Sequence, residues 1–169
     1  MLLDPAIGAL NGIALGSEIG AIRDFGPADA ASIRGEMVWL EYASRGLSMT
    51  YVNGKLVTID VFFDSLLGGM HPTKFVPCRE LTIRRDDGAI FRLKGDSPPD
   101  ALEAMFGPPF EIEDDDYTVC TEKVYSHRVG DQSIGAAYDA TSNRLVHLEI
   151  CPMPIGIPDD AEEPPNLDP

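Results

Sequence analysis

Chemistry in this chain would have to come from its few histidines and cysteines and from its clustered carboxylates. Of the three histidines, His71 stands before Pro72 in a turn-rich connection, while His127 and His147 fall on strand-like stretches. No two lie at metal-ligand spacing, there is no HExxH, and Cys78, Cys120 and Cys151 do not complete a tetrahedral set, so no metal is expected. Along RLVHLEIC (144–151), alternation puts Leu145, His147, Glu149 and Cys151 on one face and Val146, Leu148 and Ile150 on the other. The second set reads as the core face. His147 and Glu149 then read as a solvated sheet face rather than a catalytic pair.

A nucleophile needs an activating base and a shaped turn. No GxSxG occurs, because Gly16-Ser17-Glu18-Ile19-Gly20 has the wrong residue order and its serine is better used as a helix cap. Cys120 follows an acidic run, and negative neighbours disfavour the thiolate. Neither GxxxxGK nor GxGxxG is present, so no phosphate-cradling loop and no cofactor is expected.

Carboxylates are the abundant group: 28 Asp+Glu against 13 Lys+Arg give a net charge of −15. Such a chain repels phosphate backbones and anionic membrane surfaces, which argues against nucleic acid and membrane as partners. Two segments hold ten of the acids: Glu111, Glu113, Asp114, Asp115 and Asp116, then Asp159, Asp160, Glu162, Glu163 and Asp168. A run of this kind is usually a solvated loop. Calcium is not expected, since EIEDDDY lacks both the DxDxDG spacing and the glycine. The sharper reading is a docking surface for a basic protein, with Trp39, Tyr42 and Tyr117 as aromatic anchors beside the acids.

These residues must be positioned by short elements. SEIGAIRDFGP (17–27) and PPDALEAMFGP (98–108) each read as a short amphipathic helix stopped at Phe-Gly-Pro, with Ser17 and Ser97 as N-caps. Strand-like runs follow each. After the first come MVWLEY (37–42), LSMTYV (47–52) and KLVTIDVFF (55–63), with Asn53-Gly54 as a hairpin turn. After the second come EKVYSHRV (122–129), SIGAAYD (133–139) and RLVHLEIC. RELTIRR (79–85), Asp86-Asp87-Gly88 and AIFRLKG (89–95) form a further, locally basic hairpin. The connection at 64–77 holds one helical turn at Ser65–Leu67, and the proline-rich acidic segment from 158 reads as a mobile tail.

The expected fold is α+β: two tandem units, each a short helix packed on an antiparallel sheet, with the two sheets either separate or joined into one continuous sheet. The expected boundaries are 1–63 for the first unit, 64–78 for the connection, 79–157 for the second unit and 158–169 for the tail. No Lys or Arg precedes Arg23, glycines break the apolar N-terminal stretch, and the three cysteines are an odd set without CxxC. Neither a secretory signal nor a disulfide framework is expected, and the compartment reads as cytoplasmic. No run reaches the roughly 18 apolar residues of a membrane span.

The order GIALG, helix, FGP, Trp39-x-x-Tyr42 and RGLSMTYVNGKLVTIDV resembles small outer-membrane assembly lipoproteins of the SmpA/OmlA type and the beta-lactamase inhibitor protein. The likeness covers residues 12–63 and, more weakly, 97–151. It implies a helix packed on an antiparallel sheet and a protein that binds another protein across that sheet. The functional expectation is a non-enzymatic immunity or inhibitor protein that occludes a basic site on a toxin or enzyme. The alternative is a small enzyme or ligand-binding module with a pocket between the two units, using His127, Arg128, His147 and Glu149.

Overall fold

The computed structural model describes residues 1–64, 74–116 and 121–153. In chain order the first strands are β1 (Leu2–Asp4), β2 (Ala9–Leu10) and β3 (Ile13–Ala14), followed by a 3-10 helix at Ile19–Phe25. Next come β4 (Ala30–Arg34), β5 (Met37–Tyr42), β6 (Leu47–Val52) and β7 (Lys55–Phe62). The hairpin β8 (Leu81–Arg84) and β9 (Ile90–Leu93) precedes the α-helix α1 (Pro99–Phe106). The last strands are β10 (Glu111–Asp116), β11 (Thr121–Val129), β12 (Gln132–Asp139) and β13 (Arg144–Pro152).

Turn chemistry sets the local pairings. Asn53 and Gly54 take φ of 52° and 76°, the doubly left-handed turn that matches strand twist, and it closes β6 onto β7 at Val52 and Lys55. Gly88 at φ 81° turns the β8–β9 hairpin, with the Asp87 carboxylate accepting the Ala89 N–H at 2.9 Å. Both Phe-Gly-Pro segments do stop helices: Gly26 and Gly107 adopt φ of 92° and 87°.

The strands assemble into two sheets, one of five strands in the order β3-β2-β1-β8-β9 and one of eight in the order β10-β11-β12-β13-β7-β6-β5-β4. The eight-stranded sheet is antiparallel throughout and consists of two four-stranded meanders that meet where β13 pairs with β7. In the smaller sheet β1 runs parallel to β8, so the N-terminal strand is built onto the hairpin at 81–93. One core joins the sheets: Leu3, Leu10, Leu81, Ile83 and Leu93 cluster with Met49, Ile59, Val61, Ile134 and Leu148, all fully buried. Each such side chain contributes about 1.5–3 kcal/mol by leaving water. Leu102, Met105 and Phe106 add one face of α1 to the same cluster.

Several expectations are corrected. The chain is mostly β and is not α+β in two tandem helix-plus-sheet units: among the described residues only α1 is an α-helix, and the first expected helix is a 3-10 segment. The likeness between the two halves marks two meanders inside one sheet. The second, five-stranded sheet was not foreseen, because β1 to β3 hide in a glycine-broken apolar stretch. Neither serine caps a helix: the N-cap positions are Glu18 and Pro98, and Ser97 Oγ accepts the Lys94 N–H at 3.0 Å instead. The acidic run at 111–116 is strand β10 and not a loop, because its backbone pairs with β11 from Glu111 opposite Ser126 to Asp116 opposite Thr121. The helical turn expected at Ser65–Leu67, His71, Tyr117, Cys120 and the tail lie outside the described residues.

Candidate functional site

The register of the larger sheet determines what its outer face carries. Ala30, Glu41, Ser48, Asp60, Glu149, Gly135, Ser126 and Glu111 are successive partners, one from each strand from β4 to β10. Four carboxylates therefore share one row across the sheet. The adjacent row runs through Phe62, His147, Ala137, Val124 and Glu113.

Glu149 and Asp60 are direct cross-strand partners, a like-charge pairing that is unfavourable unless it is offset. The offset is local. His147 Nε2 donates to Asp60 Oδ1 at 3.1 Å, Ser48 Oγ donates to Asp60 Oδ2 at 2.8 Å, and the imidazole stacks on Phe62 with ring centroids 5.0 Å apart. Burial alone would lower the His147 pKa. The hydrogen bond and charge of Asp60, joined by Glu149 and Glu122, outweigh burial and hold it above the ordinary histidine value. Cys151, next on the same face, has its thiol pushed up to about 11 by burial and then by Glu149. A cavity of about 260 Å³ opens beside His147, lined by Glu113, Glu122, Ser126, Ser133 and Glu149 over a floor of Gly135 and Ala137. Among the described residues no three His, Cys, Asp or Glu side chains are placed to hold a metal ion.

The residues singled out by sequence separate into different environments. Glu111, Glu113 and Asp114 are exposed on β10, which is the edge strand of the larger sheet. Asp115 and Asp116 end that strand. Trp39 is half-buried on β5 between Ser32 and Thr50, on the same face as Glu41. Tyr42 is corrected: it is 1% exposed, its ring meets Phe25 edge-on at 4.9 Å, and its hydroxyl donates to the Gly26 carbonyl at 3.4 Å. It is a core residue, since β5 points alternate side chains to opposite faces.

His127 and His147 do not meet, because the sheet lies between them. His127 belongs to the inner row with Ile134 and Ile150, under α1, and is 1% exposed. Its Nδ1–H donates to the Gly107 carbonyl at 2.8 Å, which leaves Nε2 as an acceptor with no partner among the described residues. Burial lowers its pKa, against smaller opposing effects from Gly107 and Glu103. Arg128 is exposed, with Nε donating to the Gly130 carbonyl at 3.4 Å. A second cavity, about 340 Å³, lies between α1 and the β10–β11 edge, and His127 is one of its lining groups.

Sequence reasoning missed Asp60 and Ser48. The signal was a lone acid and a lone serine on the polar alternation of KLVTIDVFF and LSMTYV. It also mistook Leu145, which is 1% exposed, for an outer-face residue; a bulge between Ala137 and Tyr138 sets Leu145 opposite Tyr138 while His147 pairs with Ala137.

No protein-family model matches the chain, and no curated protein matches it. Solved structures match the chain at low identity. An extracellular protein containing a SCP domain from Bacillus anthracis is 10% identical, over 82% of this chain and 44% of that one, with a TM-score of 0.50. The DUF4309 family protein YjgB from Bacillus subtilis is 13% identical over 84% and 83%, with a TM-score of 0.49. A cysteine-rich secretory protein, SAV1118, from Staphylococcus aureus is 12% identical over 90% and 51%, with a TM-score of 0.44. The chain spans about half the length of the Bacillus anthracis and Staphylococcus aureus proteins. At such identities the likeness concerns fold alone. No helix among the described residues is long and apolar enough to cross a membrane.

Proposed function

We propose that this chain is a non-enzymatic protein-binding protein, an immunity or inhibitor protein whose acidic sheet face occludes a basic site on a toxin or enzyme. The observation that carries the reading is the register row Glu41, Asp60, Glu149 and Glu111, with Trp39 on the same face and the acidic edge strand β10 at its end. Aligned carboxylates steer a basic protein on approach and select it, while an aromatic side chain among them supplies apolar contact area. The cytoplasm is the proposed compartment, on the ground that Cys78 and Cys151 are free thiols.

Growth protection tests this reading. Co-expression with the product of a neighbouring toxin gene is expected to restore growth, and a Glu111→Lys, Glu113→Lys, Asp114→Lys variant is expected to lose that protection while keeping its thermal midpoint. Absence of both protection and a partner would overturn it. The second reading, an enzyme or ligand-binding module, would draw on His147 and Glu149, which line one cavity, and not on His127, which the sheet holds on its opposite face.

A further inference from the structure

The two edges of the larger sheet differ in charge. Strand β10 closes one edge with acids, whereas β4 closes the other with Ala30-Ala31-Ser32-Ile33-Arg34, whose one charge is Arg34. All five residues are exposed, and Ile33, at 74%, is the most exposed large hydrophobic side chain among the described residues. An edge strand presents a row of backbone groups open to further pairing, and proteins guard such edges with proline, bulges or charge. Strand β4 has no proline and pairs with β5 without a register shift, so its terminal Arg34 is its one guard.

The register of β4 on β5 indicates which occupant fits. On the inner face Ala31 pairs with Leu40 and Ile33 with Val38, and both β5 residues pack on the core. On the outer face Ala30 pairs with Glu41, Ser32 with Trp39 and Arg34 with Met37. Arg34 has no ion-pair partner among the described residues. Turned about a two-fold axis normal to the sheet at Ser32, a second β4 pairs antiparallel over all five residues and keeps inner side chains on the inner face. Ile33 then stands opposite the partner's Ala31, large against small, and the apolar inner row runs from Val38 and Ile33 to the partner's Ala31 and the partner's Leu40. Arg34 stands opposite the partner's Ala30, with the partner's Glu41 next in the row, about 10 Å away between Cα atoms at ordinary strand spacing. An arginine and a glutamate together span that distance over a methyl group, so charge and shape both match a copy of the same strand.

We propose that two copies of this chain join edge to edge through β4, antiparallel about Ser32, and continue the larger sheet into one of twice as many strands. With the faces retained, the acidic rows of both copies lie on one side, so this pairing is compatible with the docking reading and does not rest on it. A chain of net charge −15 repels its copy, and β4 is the edge of the larger sheet where carboxylates are fewest. Five strand residues a side are fewer than the roughly 20–30 of a standard interface, which makes the pairing reversible.

The test is sedimentation velocity of the intact chain from about 1 to 500 μM, a range suited to a small interface. It is read together with the emission of Trp39, the only tryptophan, which pairs with Ser32 on the outer face. The expected result is a reversible rise from one chain mass toward two, with a midpoint of about 10–100 μM and a parallel shift in Trp39 emission. Ile33→Lys, at an exposed position, should keep the thermal midpoint and weaken association at least about tenfold, because both copies then bring a charge to the apolar row. Ile90→Lys, the same change at a residue 66% exposed on β9, should leave association unchanged. Arg34→Glu should weaken association at least about threefold by setting like charges together, and Arg34→Glu with Glu41→Arg should restore it. That rescue keeps the proposal testable where Ile33→Lys fails to fold, and its failure overturns the proposal. So does a single-chain mass at about 500 μM, growth past two chains, indifference to Ile33→Lys, or equal sensitivity to Ile90→Lys.

Discussion

His147 Nε2 stands 3.1 Å from Asp60 Oδ1 across the seam where β13 meets β7. Because Ser48 Oγ holds the other Asp60 oxygen at 2.8 Å, one carboxylate ties β6, β7 and β13 together. The order of the three groups matters chemically. In a nucleophilic triad the imidazole stands between hydroxyl and carboxylate and takes the proton. Here the carboxylate stands in the middle, so Ser48 has no imidazole base and the arrangement works as a cross-strand clamp.

The clamp predicts a pH dependence with a definite sign. The His147 pKa is raised in the folded chain, so its stabilisation is fully present below the unfolded value near 6.5 and is lost as pH rises through the folded value. His147→Gln should therefore cost about 1 kcal/mol at pH 5.5, and less at pH 9, by urea denaturation. His127 has the opposite sign: its lowered pKa gives stability present above about 6.5 and lost as pH falls. NMR titration should find His127 titrating below His147. The reverse order would refute both assignments.

Gly46 should be intolerant of any side chain. It sits at φ 65°, and an added Cβ would lie 2.5 Å from the Val76 carbonyl oxygen, 2.8 Å from the Cys78 nitrogen and 3.0 Å from the Phe62 carbonyl oxygen. All three are backbone atoms, which cannot swing away as a side chain would. Gly46→Ala is expected to destabilise the fold by about 2–4 kcal/mol, measured as a shift in the urea midpoint. A change below about 0.5 kcal/mol would mean the strands are not held this closely.

Cys151 should be sluggish toward alkylation despite partial exposure. Its thiol is pushed up to about 11 by burial, with the Glu149 charge and hydrogen bond adding to the effect. In a Cys120→Ser background, the native chain at pH 7.5 is expected to react with iodoacetamide far more slowly than the urea-unfolded chain. Glu149→Gln should accelerate the native reaction a few-fold. Equal native and unfolded rates would contradict this placement.

Strand β10 should owe its solubility to its charge. Glu111, Glu113 and Asp114 are exposed on an edge strand whose outer backbone groups offer a template for further pairing, and charge is a common protection of such edges. Replacing all three by threonine, a good strand former, is expected to shift the chain to larger species in size-exclusion chromatography with light scattering. Unchanged elution would show that charge does not guard the edge.

Much of the local structure was readable from residue types, and the long-range structure was not. Asn53-Gly54 and the two Phe-Gly-Pro stops act through their own backbone preferences, and all three behave as expected. Strand β10 was unreadable because Asp and Glu have little intrinsic preference for strands, and only pairing with β11 orders them. The pairing of β1 with β8 has no local signal at all. The Asp60 clamp was hidden by one bulge: a hairpin closed at Val52 and Lys55 without it would set Ser48 opposite Ile59, whereas a register shift at Thr50/Tyr51 places Asp60 there. A single skipped residue decided whether the polar groups faced one another.

The palindromic strand order has a consequence for how the chain folds. Its two meanders are made of neighbouring hairpins, whose formation takes about 1–10 μs. The seam between them joins residues 87 apart, and the ion pair from Arg84 to Asp4 beside the parallel β1–β8 contact joins residues 80 apart. Closing such long loops carries an entropy cost that hairpins avoid, and contacts of that separation slow folding toward milliseconds to seconds. The two meanders should therefore form early as separate halves, with the β7–β13 seam the late, rate-setting event.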